Sequence, residues 1–310
     1  MMSFGRTLRG LALGILGAAP AVCMAQQDPL YSQYMFNTLA FNPAYAGSAN
    51  VLTVMALTRH QWVGFDGAPS TQTLLAHSPL KRENMAVGFT AINDRIGASR
   101  QTAMYGDFAY RIRTSEDTRL SFGLRGGLNI HQANLSGLAT VEDDPANVDI
   151  QGQVLPNFGF GLFWHGERYY AGLSVPKLLR NEIEAVSGTA LVTASEEHHW
   201  FLIGGYVLDL DRDVKFKPSF MLRKVEGAPL SLDLNASFLL RERIWLGGMY
   251  RVGNSIGLLG QYQVTDQFRA GYAFDLTTTR MGAYNAGTHE IMLNYDLRFV
   301  KGRTVSPRYF

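Results

Sequence analysis

The densest run of side chains able to ligate a metal is Glu196-Glu197-His198-His199, two carboxylates followed by two imidazoles. If that run enters a β-strand, neighbouring side chains point to opposite faces, so His198 and His199 cannot share one ion. Glu142, Asp143, Asp144 and Asp149 offer hard oxygen ligands suited to calcium, yet they lack a defined calcium-loop spacing and read as a solvated acidic loop. His289-Glu290 has no second histidine to complete a zinc motif, and Gly159-x-Gly161 lies inside a strand pattern that opens no helix. Neither a nucleophile elbow nor a P-loop is present. The expectation is a non-enzymatic protein with no catalytic residue, no metal and no cofactor.

Composition narrows the class. Only 17% of the 310 residues are charged, against about 25% in an ordinary soluble domain. Eighteen Phe, 14 Tyr and 4 Trp exclude disorder. Mean hydropathy near zero excludes a bundle of transmembrane helices, each of which needs about 20 consecutive apolar residues. The 28 basic and 26 acidic residues form no basic block, so no nucleic-acid partner is expected. Arg6 and Arg9, the apolar stretch that follows them and Cys23-Met24-Ala25 have the form of a cleaved signal peptide over residues 1–25, which predicts export and a mature chain without cysteine.

From residue 50 the chain repeats alternating apolar and polar runs of about 10 residues separated by turns, twice the length of a usual soluble strand. Ile291, Leu293, Tyr295, Leu297 and Phe299 share one face, while Met292, Asn294, Asp296 and Arg298 share the other. Trp62, Trp164, Tyr169, Trp200, Tyr206, Trp245, Tyr250, Tyr262 and Tyr272 fall near run ends, as interfacial girdles do. The predicted fold is all-β: an antiparallel outer-membrane β-barrel of about fourteen strands over residues 50–300, bathed in outer-membrane lipid. Short connections alternate with longer ones at 60–69, 93–99, 133–153, 177–196, 225–228, 253–255 and 277–287. Both termini are therefore expected in the periplasm, with a pre-barrel segment over 26–49 and a tail over 301–310. Asp107, Arg111, Arg125, Lys215, Lys217, Arg223, Asp233, Arg251, Arg269, Asp275, Asp296 and Arg298 should face the lumen, either as a ladder of ion pairs or as the lining of an ion-selective pore.

Three motifs stand apart. Asn42-Pro43-Ala44-Tyr45-Ala46-Gly47 precedes the barrel, Arg59-His60-Gln61-Trp62-Val63-Gly64-Phe65-Asp66-Gly67-Ala68-Pro69 forms the first outer loop, and Asn93-Asp94-Arg95-Ile96-Gly97 the second. With Ala109-Tyr110-Arg111-Ile112, Pro156-Asn157-Phe158-Gly159-Phe160-Gly161 and Ala171-Gly172-Leu173-Ser174-Val175-Pro176, they make the chain resemble the PorP/SprF family of type IX secretion-system membrane proteins over nearly its whole mature length. That resemblance implies a barrel in the outer membrane of a Bacteroidota-type bacterium. Its partners would be type IX secretion components, a secreted C-terminal-domain surface protein, or both. It would help export or anchor that protein, or serve gliding. Departures from the family lie in the loops at 133–153 and 177–196, where partner choice could reside. Asn42, Pro43, Tyr45, Gly47, Gln61, Trp62, Gly64, Phe65, Gly67, Pro69, Asn93, Asp94 and Gly97 are the candidates for partner contact or lumen closure. The aromatic pre-barrel segment must either fold into the periplasmic mouth or dock on another protein. The alternative function is a small-molecule outer-membrane channel carrying an N-terminal plug.

Overall fold

A computed structural model describes residues 28–82, 84–136, 149–187 and 190–297. Its strands are β1 (Leu52–His60), β2 (Ser70–Pro79), β3 (Met85–Ile96), β4 (Ser99–Arg113), β5 (Arg119–Ala133), β6 (Ile150–His165), β7 (Tyr169–Val175), β8 (Glu182–Ser187), β9 (Ala190–Ser195), β10 (His199–Tyr206), β11 (Leu208–Asp209), β12 (Val214–Val225), β13 (Ser231–Leu240), β14 (Ile244–Arg251), β15 (Ser255–Gln263), β16 (Phe268–Thr277) and β17 (Thr288–Leu297). All pairings are antiparallel; β1 pairs with β17, and β10 joins β7 to β12, which closes the sheet. β11 continues β10 after a break at Val207, so the wall is a closed barrel of 14 strands. β8 and β9 form a separate hairpin. Closure gives every wall strand a neighbour on each side, as hydrocarbon demands.

The period-two pattern sets the faces. In β17, Ile291, Leu293 and Tyr295 are exposed outward while Met292, Glu290 and Asn294 are buried inward. Leu293 sits near the middle of its strand opposite Ala56 and Ala270, so Leu293→Arg should cost about 2–4 kcal/mol if it lies near the midplane, measured by denaturant unfolding in lipid. Trp164, Trp200, Tyr206, Tyr250, Tyr262 and Tyr272 are exposed on the outer wall. Trp245 is not: it faces the lumen, 5% exposed, edge-on to Phe36 at 5.5 Å. The third motif, Asn93 to Gly97, is largely strand rather than loop. β3 runs through Ile96, and the turn is only Gly97-Ala98, because Asn93 and Asp94 bond across strands to Gln72 and Thr71.

Inside the barrel, residues 28–48 fill the bore. Every residue from Tyr31 to Ser48 is buried. The segment enters at the end of the barrel bearing the long loops, where Asp28 meets Lys177 and His199. It then descends past Phe36 at the short-turn end and reaches β1 through Gly47 and Asn50. The expected position at the periplasmic mouth is thus only half of its path: the segment spans the lumen. Residues 1–27, Arg298, Phe299 and the 301–310 tail lie outside the described residues, as do Glu142, Asp143 and Asp144.

Candidate functional site: a plugged lumen beneath an outer loop cluster

The plug turns at Asn42-Pro43-Ala44-Tyr45. Asn42 caps a 3-10 turn over Pro43–Tyr45, its side chain accepting from the Ala44 amide at 3.0 Å, and Pro at the first position pre-sets the turn. The Asn42 amide group also donates to the Leu162 carbonyl at 3.0 Å. The wall beneath is glycine by necessity: a Cβ on Gly123 would land on Ala44 N and Pro43 C, and one on Gly161 on Asn42 Oδ1. Gly47, at φ +65, donates to His77 Nδ1 at 3.1 Å. Tyr45 packs edge-on to Phe163 and to His77. Asn42, Pro43, Tyr45 and Gly47 therefore belong to one packed turn inside the bore.

Charged wall residues hold the rest of the plug. Arg125 donates to Asp107 and, with its remaining donors, to the Leu39 and Ala40 carbonyls at 2.6 and 2.7 Å. Glu290 accepts from the Ser32 and Gln33 amides at 2.9 Å each and pairs with Arg59, which also pairs with Asp275. Arg251 pairs with Asp233 at 2.7 Å. Lys217 lies over the rings of Phe36, Trp245 and Tyr170 at 4.8, 5.4 and 5.6 Å. Asp107 with Arg125, Asp233 with Arg251 and Asp275 with Arg59 thus form ion pairs, and Arg111 and Arg125 donate to plug carbonyls. Lys215, Arg269 and Asp296 are half-buried as whole residues, though the Arg269 guanidinium lies inside the bore, 5.4 Å over the Phe36 ring. Arg59, expected in the first outer loop, lies instead in β1, and with Glu290 of β17 it anchors the plug at Ser32 and Gln33. Their inward phase within β1 and β17 was the available signal.

At the loop end, Asp28 lies 2.6 Å from Lys177 Nζ and 2.9 Å from His199 Nδ1. Burial pushes the Asp28 carboxyl up, but the Lys177 and His199 charges and hydrogen bonds outweigh it and hold it well below the usual carboxylate range. Glu196 is opposed by burial in the same way, yet His131, Lys177 and Asn181 bring it from 4.5 to about 2. Both carboxyls have lowered folded pKa values, so their stabilisation is complete above the unfolded value and is lost as pH falls through the folded one. A spin label at Leu30 should therefore keep one mobility from about pH 5 to about pH 8 and become mobile only in stronger acid, as read by electron paramagnetic resonance. His198 and His199 do point apart: His199 is buried against Asp28, whereas His198 contacts the Leu178 carbonyl from the exposed side. Asp149 accepts from Ser136 at 2.9 and 3.0 Å.

The outer loop 61–69 is braced on both sides. Gln61 N donates to Pro69 O within the loop, Val63 exchanges backbone bonds with Gly287 and Ala286, and Gly97 N donates to Gly67 O at 2.9 Å. Positive φ at Gly64, Gly67 and Gly97 permits these turns, and Trp62 adopts φ +51 despite its side chain. Trp62 is half-buried, while Phe65, Val63, Ile96 and Tyr284 are exposed on this cluster. Asn93 and Asp94 stand just below it on β3. The candidate residues therefore divide into two groups: one fills the bore and the other builds the cap around its loop end.

Solved structures similar to this chain include Omp33 of Acinetobacter baumannii, at 10% identity and TM-score 0.43, covering 80% of this chain and 98% of that one. CymD, a monoaromatic hydrocarbon channel, matches at 12% identity and TM-score 0.47 over 86% of this chain and 93% of its own. A Pseudomonas aeruginosa FadL homologue matches at 10% identity and TM-score 0.45 over 79% and 88%. No curated protein sequence matches the chain. The model of the type IX secretion system membrane protein family PorP/SprF matches residues 23–295, from before the plug to Tyr295 in the last barrel strand, and the chain belongs to that family.

Proposed function

We propose that this protein is a non-enzymatic, plugged outer-membrane barrel of the type IX secretion or gliding apparatus. Its short-turn end faces the periplasm, after export by a signal peptide in a Bacteroidota-type cell. It binds a secreted surface protein and helps export or anchor it, or it couples periplasmic secretion components to the membrane. The filled bore is the observation that supports this reading: residues 31–48 are buried throughout, so the work falls to surfaces at the two ends. At the loop end, Phe65, Val63, Ile96 and Tyr284 offer apolar contact on a hydrogen-bonded frame, the combination expected of an interface anchor. In this reading Gln61, Trp62, Gly64, Phe65, Gly67 and Pro69 carry the partner surface, Asn93, Asp94 and Gly97 brace it, and Asn42, Pro43, Tyr45 and Gly47 close the lumen.

Changing Phe65 to Ala, alone and together with Trp62→Ala, should lower recovery of the secreted partner on co-purification by at least about tenfold, with the heat-modifiable barrel band unchanged. Full recovery with an intact barrel contradicts the assignment. A second reading, a channel for small molecules, is favoured by one feature. A cavity lined by Tyr31, Phe41, Tyr105, Phe201 and Met221 lies between plug and wall. Solute uptake by intact cells that survives loss of the partner would support it.

A further inference from the structure

The barrel wall is uneven at one place. β6 runs from Ile150 to His165, but β7 pairs with it only from Phe160 to His165, since β7 stops at Val175 and the chain turns away at Pro176. The excursion between β7 and β10 returns to the point it left. Its first foot, 176–181, places Lys177 Nζ 2.6 Å from Asp28 and 3.4 Å from Glu196. Its second foot, 195–198, supplies Glu196 to the first foot, and β10 opens directly after it with His199, which bonds Asp28. The Glu196 carboxylate also accepts from Asn129, Asn181 and Asn157 at 2.7, 2.8 and 3.3 Å. Asn157, on β6, accepts from the Leu178 and Leu179 amides, so a side chain does there what a strand partner does elsewhere in the wall.

Asp28 is thus fastened by its carboxylate to Lys177 on the first foot and to His199 where the second foot runs into β10. Beyond Asp28, wall strands hold the plug again from Tyr31 onward, through Thr73 and Glu290. The cavity beside the plug is bounded by the same residues, Asp28, Pro176 and Lys177 among them. Moving the first foot breaks the Lys177–Asp28 bond, moving the second takes Glu196 away from Lys177 and strains the neighbouring His199, and freeing Asp28 removes the charge that faces both Lys177 and His199.

We propose that the excursion between β7 and β10 is the release lever of the plug: lifting its feet from the loop end frees residues 28–30 and opens the adjoining cavity, and freeing those residues loosens the feet. The coupling is reciprocal because one set of bonds serves both elements. It rests on the plug geometry and not on the identity of any partner.

The test uses the full chain in the outer membrane of intact cells, with Cys23→Ser and a single reporter, Leu30→Cys, labelled by a membrane-impermeant maleimide. Asp28→Asn is nearly isosteric, so it removes the charge with little change in shape. It should raise the labelling rate at least about tenfold, since the carboxylate's charge-assisted bonds to Lys177 and His199 are lost. In the same variant without the reporter, trypsin cleavage after the exposed Arg180 should accelerate by a comparable factor. Glu196→Gln, which alters only the second foot, should raise both rates as well. If neither variant changes labelling while Tyr284→Cys labels readily, the proposal is overturned. Faster labelling with unchanged cleavage at Arg180 overturns it too, because Asp28 would then be a local anchor and not part of a lever.

Discussion

Replacing Gly123 by Ala should drive the plug off its floor. The added Cβ would meet Ala44 N, Pro43 C and Ala44 Cα, all backbone atoms of the capped turn, which cannot swing aside as a flexible side chain can. Overpacking at such a site costs about 3 kcal/mol or more. The protein can meet that cost only by moving residues 42–45 or by loosening β5. Two measurements check it: the denaturant midpoint of the purified barrel should fall, and protease should clip residues in the 28–48 segment that are protected in the parent. Gly106→Ala is the control, because its Cβ would meet nothing closer than the Gly126 carbonyl at 3.9 Å. Equal midpoints and equal protection for the two variants would contradict the packing described here.

Arg125→Met is the second large effect, and its cause is electrostatic. The guanidinium makes two bonds to Asp107, one each to the carbonyls of Leu39 and Ala40, and stacks 5.0 Å from the Tyr105 ring. Truncation leaves Asp107 buried and uncompensated, a loss of about 3–5 kcal/mol. Arg125→Lys should restore little, since an ammonium cannot present the planar fork that reaches a carboxylate and two carbonyls together. Adding Asp107→Asn to Arg125→Met should recover part of the loss, which a double-mutant cycle on unfolding free energies would register. A strictly additive cycle would mean that the two side chains do not act as a pair.

Much of the wall was legible because membrane strands obey a simple alternation. The outward phase of Ile291, Leu293 and Tyr295 follows from period two alone, and the alternation of short and long connections places both ends of the barrel chain at one rim. Trp245 was misread for a physical reason. In a wet lumen an inward aromatic is costly, but here the lumen is packed with protein, so Trp245 finds Phe36 and Lys217 inside. Asn93 and Asp94 have turn-forming preferences that cross-strand bonds to Gln72 and Thr71 override, which keeps them in β3. The path of the plug was the least legible part. Residues 28–50 carry no strand period, and their anchors, such as Glu290 for Ser32 and Lys177 for Asp28, are far away in sequence. Only the composition of the segment, aromatic and in need of burial, was visible beforehand.

The central claim is that the chain closes its own bore and works through its ends. Conductance across a planar lipid bilayer tests this most directly, comparing the full protein with a variant that lacks residues 28–46. The parent should insert without stable open-pore conductance, and the deletion should either conduct as a barrel of this size does or fail to assemble for want of its packed core. Steady, porin-like current through the full-length protein would contradict the account.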